Sequence, residues 1–197
     1  RLASVRRSLF SSEAARAAFL ARLVAGTRDI LRSQTGLAHH ANYHEFCRLL
    51  GRLKTNYQLS ELVGLEAYPE WADRAAAFTV ESLRQWRWAA GSVYYLLGLW
   101  SRLVSSVPYL KGDAPSRLEE AVPRIVRAYV ESRLEGGGGG GGGGANGGED
   151  DDDEPLDAEE ALGDQLDALP YLCRFRYAET AELLAARLDP LAARYAA

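Results

Sequence analysis

The chain contains no methionine, only two cysteines, and only two lysines among its 23 basic residues. A chain that opens at Arg1 and carries no methionine anywhere is expected to be a piece of a longer polypeptide. Cys47 and Cys173 are far apart and unclustered. Each sits in apolar, helix-forming surroundings, so a reduced and buried role is expected, which suits cytosol or nucleus. No run of eighteen apolar residues is present, so membrane insertion is not expected, and nothing has the form of a signal peptide. Strict two-residue alternation over a strand's length is missing as well, which argues against sheets. There is no Ser/His/Asp constellation and no paired-carboxylate pocket. The one glycine tract lacks the Lys-Ser or Lys-Thr that completes a phosphate loop. An enzyme has nothing to stand on, and no cofactor is expected.

Charge excludes another class. The net charge is −4, but Glu149, Asp150, Asp151, Asp152, Asp153 and Glu154 supply −6, so the remainder sums to +2. That is no footprint for nucleic acid.

What is present is helix. The hydrophobic content of 47% is enough to bury a core, and apolar residues recur at gaps of three and four, the spacing of one helix face. Seven helices follow. The first spans Ser12 to Ser33, with Phe19, Leu20, Leu23, Ile30 and Leu31 on one side. The second opens at Asn42 and carries Tyr43, Phe46, Cys47, Leu50, Leu53 and Tyr57. Asn42 and Glu45 have the spacing of a capping box. The third starts near Pro69, a residue suited to a first helical position, and ends near Trp86. The fourth spans Ala90 to Ser106 and is apolar on two sides, which predicts packing on both. The fifth runs from Pro115 to Leu134, with Pro123 expected to kink it near Glu119. The sixth spans Leu156 to Leu169 and the seventh Ala178 to Tyr195. Helices of this length joined by short turns fit stacked antiparallel pairs, which bury their faces only against neighbours. On pattern alone a closed helical bundle remains open.

Between the fifth and sixth helices stand nine glycines, Gly136 to Gly144, and then the acidic run. Glycine loses the most freedom on ordering and like charges repel, so 136–155 is expected to be a disordered loop. The chain then divides into 1–135, a set of helical repeats, the loop 136–155, and 156–197, a repeat continuing the same stack.

Several side chains invite a sharper reading. His40, His44 and Cys47 are spaced as metal ligands could be on one helix, but no fourth ligand follows and Cys47 lies on the apolar stripe, so no metal is expected. Of Trp71, Trp86, Trp88 and Trp100, the last is on a core stripe, Trp86 is expected in the core too, and Trp88 is the one expected at the surface. Arg48, Arg52 and Lys54 make the polar side of the second helix positive, a solvated face or an inner surface that meets a partner.

The words of the sequence add a resemblance. NYHEFCRLLGRLKTNYQLSEL (Asn42 to Leu62), SVYYLLGLWSRLVSSVPYLK (Ser92 to Lys111), FTVESL (Phe78 to Leu83), AYVESRLE (Ala128 to Glu135) and CRFRYAETAELL (Cys173 to Leu184) are similar to nuclear export receptors of the importin-β (karyopherin) superfamily. The similarity covers Phe19 to Glu135 and Cys173 to Tyr195. It implies an all-α, HEAT-like solenoid of stacked antiparallel helix pairs. It implies a receptor that shuttles between nucleus and cytoplasm, binds protein cargo together with Ran-GTP, each raising the other's affinity, and meets nuclear pore proteins in transit. Several such receptors touch the basic side of Ran with an acidic loop, which makes residues 149–154 the expected Ran contact here. A general helical-repeat scaffold without Ran dependence is the alternative.

Overall fold

The computed structural model describes residues 2–110, 115–135 and 168–195. Among them the regular structure is helical: α1 (Glu13–Ser33), α2 (His40–Asn56), α3 (Leu59–Val63), α4 (Tyr68–Arg84), α5 (Ala90–Val104), α6 (Leu118–Glu135), α7 over 168–175 and α8 (Tyr177–Tyr195), with short 3-10 turns at Leu2–Ser4, Arg7–Leu9 and Val107–Tyr109. The helices form two layers. In the first, α4 lies between α1 and α6, and α6 also meets α8. In the second, α2 packs along α5 and has the first 3-10 turn on its other flank. Each helix therefore neighbours the one two or so elements on, which is the all-α, HEAT/TPR-like solenoid arrangement and not a bundle closed on one centre.

Local chemistry sets the helix ends. Ser12 caps α1 by accepting from the Ala15 N–H at 3.1 Å, and Gln34 ends it in the left-handed conformation (φ 56°). The expected capping box at Asn42 and Glu45 is not formed. The turn through Gly36 (φ +79°) buries Leu37 and lets the chain enter α2 at His40, two residues earlier, so Asn42 instead donates from Nδ2 to the Gly36 carbonyl at 3.3 Å. A capping box does exist one connection later, where Gln58 and Glu61 open the short helix α3, which the apolar period did not announce. Pro69 occupies the first turn of α4. The fifth expected helix begins at Leu118 and not Pro115, because Arg117 takes a left-handed φ of 62° and Ser116 caps from outside, and it continues through Pro123. Of the sixth expected helix, all but 168–169 lies outside the described residues, as do the glycine tract and the acidic run; the described helix there extends to 175.

The core is a continuous apolar sheet between the layers, and tryptophan anchors it. Trp71 and Trp100 are fully buried. Burying 150–250 Å² of ring each gives roughly 4–6 kcal/mol per residue before entropy is subtracted. Each indole N–H needs an acceptor. Trp71 of α4 donates to Thr27 Oγ1 of α1 at 3.0 Å, and Trp100 of α5 donates to Thr79 Oγ1 of α4 at 2.9 Å. Each threonine hydroxyl donates in turn to a carbonyl one turn back in its own helix, Leu23 at 2.9 Å and Ala75 at 2.8 Å. The same relay joins α2 to α4, where Tyr43 donates to Ser82 and Ser82 to the Phe78 carbonyl at 2.6 Å. Neighbouring helices are thus pinned by a ring donor, a hydroxyl and a helix carbonyl in series.

Candidate functional site

The solvent side of the α2–α5 layer is the candidate surface. Glycine brings the two helices together. A Cβ on Gly51 would lie 2.9 Å from the Tyr95 carbonyl oxygen, closer than atoms can pack. At the same level Arg102 of α5 reaches across, and its Nη1 donates to the Gly51 carbonyl at 3.2 Å and to Thr55 Oγ1 at 2.9 Å. His44 of α2 pairs Nδ1 with Ser92 Oγ of α5 at 3.2 Å and meets the edge of Tyr95, ring centroids 5.5 Å apart. Tyr95 in turn packs edge-on against Tyr94 at 5.3 Å.

The charge on these two helices is mostly positive. α5 contains no acidic residue and α2 contains only Glu45, against Arg48, Arg52, Lys54 and Arg102. Glu45 stands 3.5 Å from Arg48. Glu61, at the foot of α2, is taken up by Arg16 of α1 and by the Gln58 backbone N–H at 2.8 Å. Burial alone would raise the Glu61 pKa; the Arg16 and Gln58 hydrogen bonds outweigh it and hold the carboxyl below its ordinary value. Arg16 also lies over the Tyr57 ring, 4.7 Å from its centroid. Lys54 is half-buried, and burial followed by the charge of Arg102 pushes its pKa down against the opposing charge of Glu61.

A second feature is an open groove of about 610 Å³ at the joint of α1, α2 and α4. Leu31, Leu37, Tyr43 and Phe78 line its floor, and Trp88 stands on its rim, 41% exposed. Trp88 packs on Tyr43, centroids 4.6 Å apart, and its carbonyl pairs with His40 Nε2 at 3.1 Å.

The sequence-derived candidates land as follows. Trp88 is at the surface, in the α4–α5 turn, as expected. Trp86 is half-buried under the Arg133 guanidinium, 4.4 Å from the ring centroid, and is not a core residue. His40 and His44 do share α2, but they turn to the α4–α5 turn and to α5, while Cys47 is fully buried. No three metal-ligating side chains gather among the described residues. Burial pushes the Cys47 thiol up to about 12, so it is inert. No helix among the described residues is long and apolar enough to cross a membrane. Residues 149–154 lie outside the described residues. The sequence reading saw the cations of α2 but not Arg102 or Gly51, whose meaning depends on which helix lies next to α2.

By fold the chain is a segment of an all-α HEAT/TPR-like repeat protein. Over nearly its whole length it is homologous to a group of proteins named exportin-7 and Ran-binding proteins 16 and 17. It is 46% identical over 194 residues to Exportin-7-A of Xenopus laevis, 45% over 194 residues to Ran-binding protein 16 of Drosophila melanogaster, and 43% over 193 residues to Ran-binding protein 17 of Homo sapiens. Each alignment takes in 98% of this chain and 17% of the relative, so the chain spans about one-sixth of the length of these relatives. Residues 145–197 match the family model described as Exportin-7-like, TPR domain. No solved structure matches the chain.

Proposed function

We propose that this chain is part of a nuclear export receptor that binds protein cargo together with Ran-GTP and carries it through the nuclear pore, shuttling between nucleus and cytoplasm. The observation that carries this reading is identity of 43–46% over 98% of the chain with relatives named for export and for binding Ran. The fold supports it. A two-layer stack of helices joined by many modest interfaces flexes around a partner, and its long open faces suit recognition of protein surface over small-molecule chemistry. The reading makes the chain a binding and transport element, not an enzyme.

Within this reading residues 1–135 and 156–197 are repeats of one solenoid, joined through 136–155. The acidic run Glu149 to Glu154 is a contact for the basic side of Ran, through a field that salt weakens steeply. In transport of this kind cargo and Ran-GTP raise each other's affinity by the same factor.

The test uses the protein of which this chain is a part. Its binding to Ran loaded with GTP is compared with binding to Ran loaded with GDP. Preference for the GTP form is expected; equal affinity would replace export with a scaffold role independent of Ran. Changing Asp150 to Asp153 to serine is expected to weaken Ran-GTP binding at low salt, and unchanged affinity would remove that run from the contact.

A further inference from the structure

We infer that the α2–α5 face is a docking surface for an acidic segment of a partner protein, with Arg102 and Lys54 receiving carboxylates and the Tyr94–Tyr95 pair flanking them. The inference goes beyond the export reading, because it names the chemistry of what this face holds and can be tested without Ran.

Three observations lead to it. First, Arg102 is pinned. Its Nη1 is held by the Gly51 carbonyl and Thr55 Oγ1, so the side chain has already lost the freedom that ion pairing normally takes from an exposed arginine. Nη2 and Nε make no hydrogen bond among the described residues, and these N–H groups match the fork of a carboxylate. Second, Lys54 makes no hydrogen bond or ion pair among the described residues, although it is half-buried and feels the charge of Arg102. The nearby carboxylates are engaged elsewhere, Glu61 with Arg16 and Glu45 with Arg48. Glu61 offsets part of the Arg102 charge felt at Lys54, but its carboxylate is hydrogen-bonded to Arg16, so the compensation is incomplete. A carboxylate between Lys54 and Arg102 relieves the remaining repulsion. Third, Arg48 and Arg52 sit with Glu45, Leu2 and Ala3 on the other flank of α2, which leaves Arg102 and Lys54 as the cations toward α5, on helices that also carry the half-buried Tyr94 and Tyr95. Arginine and tyrosine are the residue types that carry most energy at protein interfaces.

The occupant is protein, not nucleic acid. A phosphate backbone draws its affinity from a long track of cations, about 6–10 contacts in a well-bound duplex. Two cations, Arg102 and Lys54, in a chain of net charge −4, do not make such a track. They suffice for one or two carboxylates beside an aromatic pair.

The experiment is fluorescence anisotropy with a labelled octaglutamate peptide as probe, at low salt and at 150 mM salt. A parallel titration uses protein whose 149–154 carboxylates are serine, so that the chain's own acidic run does not compete. The variants are Arg102→Glu, Lys54→Gln and, on the first layer, Arg22→Glu, each checked for unchanged helicity by circular dichroism. Arg102→Glu is expected to weaken probe binding about 10-fold and Lys54→Gln about 3-fold, with Arg22→Glu close to the unaltered protein. Lys54 holds no structural bond, so its variant reads the site without disturbing the fold. Equal losses for Arg22→Glu and Arg102→Glu, no probe binding in either background, or tighter binding of an oligothymidylate of matched charge would each overturn the proposal.

Discussion

Replacing Gly51 by alanine sets two known effects against each other, and the structure says which wins. In a helix interior the change favours folding by about 1 kcal/mol, because alanine has less backbone freedom to lose. Against this, the new Cβ meets the Tyr95 carbonyl oxygen at 2.9 Å and the Tyr95 Cβ at 3.1 Å. Both belong to or adjoin the backbone of α5, so neither can swing aside, and the helices must part by several tenths of an ångström. Overpacking of this kind costs about 1–3 kcal/mol. Parting them also stretches the Arg102 bond to the Gly51 carbonyl, which is already 3.2 Å long, a loss of about 1 kcal/mol. The net destabilisation is about 1–3 kcal/mol, or roughly 2–4 °C in Tm for each kcal/mol in a chain of this size. Gly26 and Gly98 provide the internal comparison. They lie within α1 and α5, and a Cβ at either meets nothing within 4 Å. Gly26→Ala and Gly98→Ala should therefore raise Tm, by roughly 1–4 °C, while Gly51→Ala lowers it. Thermal unfolding followed by circular dichroism reads all three. A stabilising Gly51→Ala, with Gly26→Ala and Gly98→Ala no different from it, would refute the close approach of α2 and α5.

Three further outcomes follow from the same interior. Thr79→Val keeps shape but strips the acceptor from the buried Trp100 indole, so stability should fall by about 1–3 kcal/mol in urea unfolding; Ser101→Ala, at the half-buried edge of α5, should cost far less. Burial is the main cause that lowers the His44 pKa, with His40 and Arg48 adding to it and Glu45 opposing. The unfolded chain, titrating near 6.5, then takes up its proton first, so stability should fall as pH drops from about 7 through 6.5 and level off below the folded value. His44→Gln should flatten that limb of a plot of urea midpoint against pH, and an unchanged slope would assign it to other groups. Cys47, fully buried with its thiol pushed up to about 12, should stay silent to a thiol reagent at pH 8 while the half-buried Cys173, whose thiol burial also raises, reacts slowly; immediate modification of both in the folded protein would contradict the packing of α2.

The helices were legible in the sequence because burial in a stack repeats at the period of the helix itself. Leu50, Leu53 and Tyr57 are apolar for the same reason that they are buried, and the third and fourth helices fall within two residues of the spans read from the chain. The ends were less legible. Asn42 has the chemistry of a cap, yet the turn at Gly36 decides where α2 starts, and a turn competes for the same backbone groups through contacts such as Leu37 that no local motif encodes. The candidate site was the least legible part. Arg48, Arg52 and Lys54 announce a positive helix face, but any solvated helix has one. What sets this face apart is the neighbour. Gly51 is informative only because α5 lies against it, and Arg102 only because it crosses back to the Gly51 carbonyl. In a helical stack the side chains that make a surface come from different repeats, tens of residues apart in the chain, and their juxtaposition is fixed by packing angles to which local periodicity is blind. A sequence pattern can therefore name the stripe each helix buries. The face that two helices jointly offer is settled by the few close contacts that lock them together, and between α2 and α5 one of those is a glycine against a carbonyl.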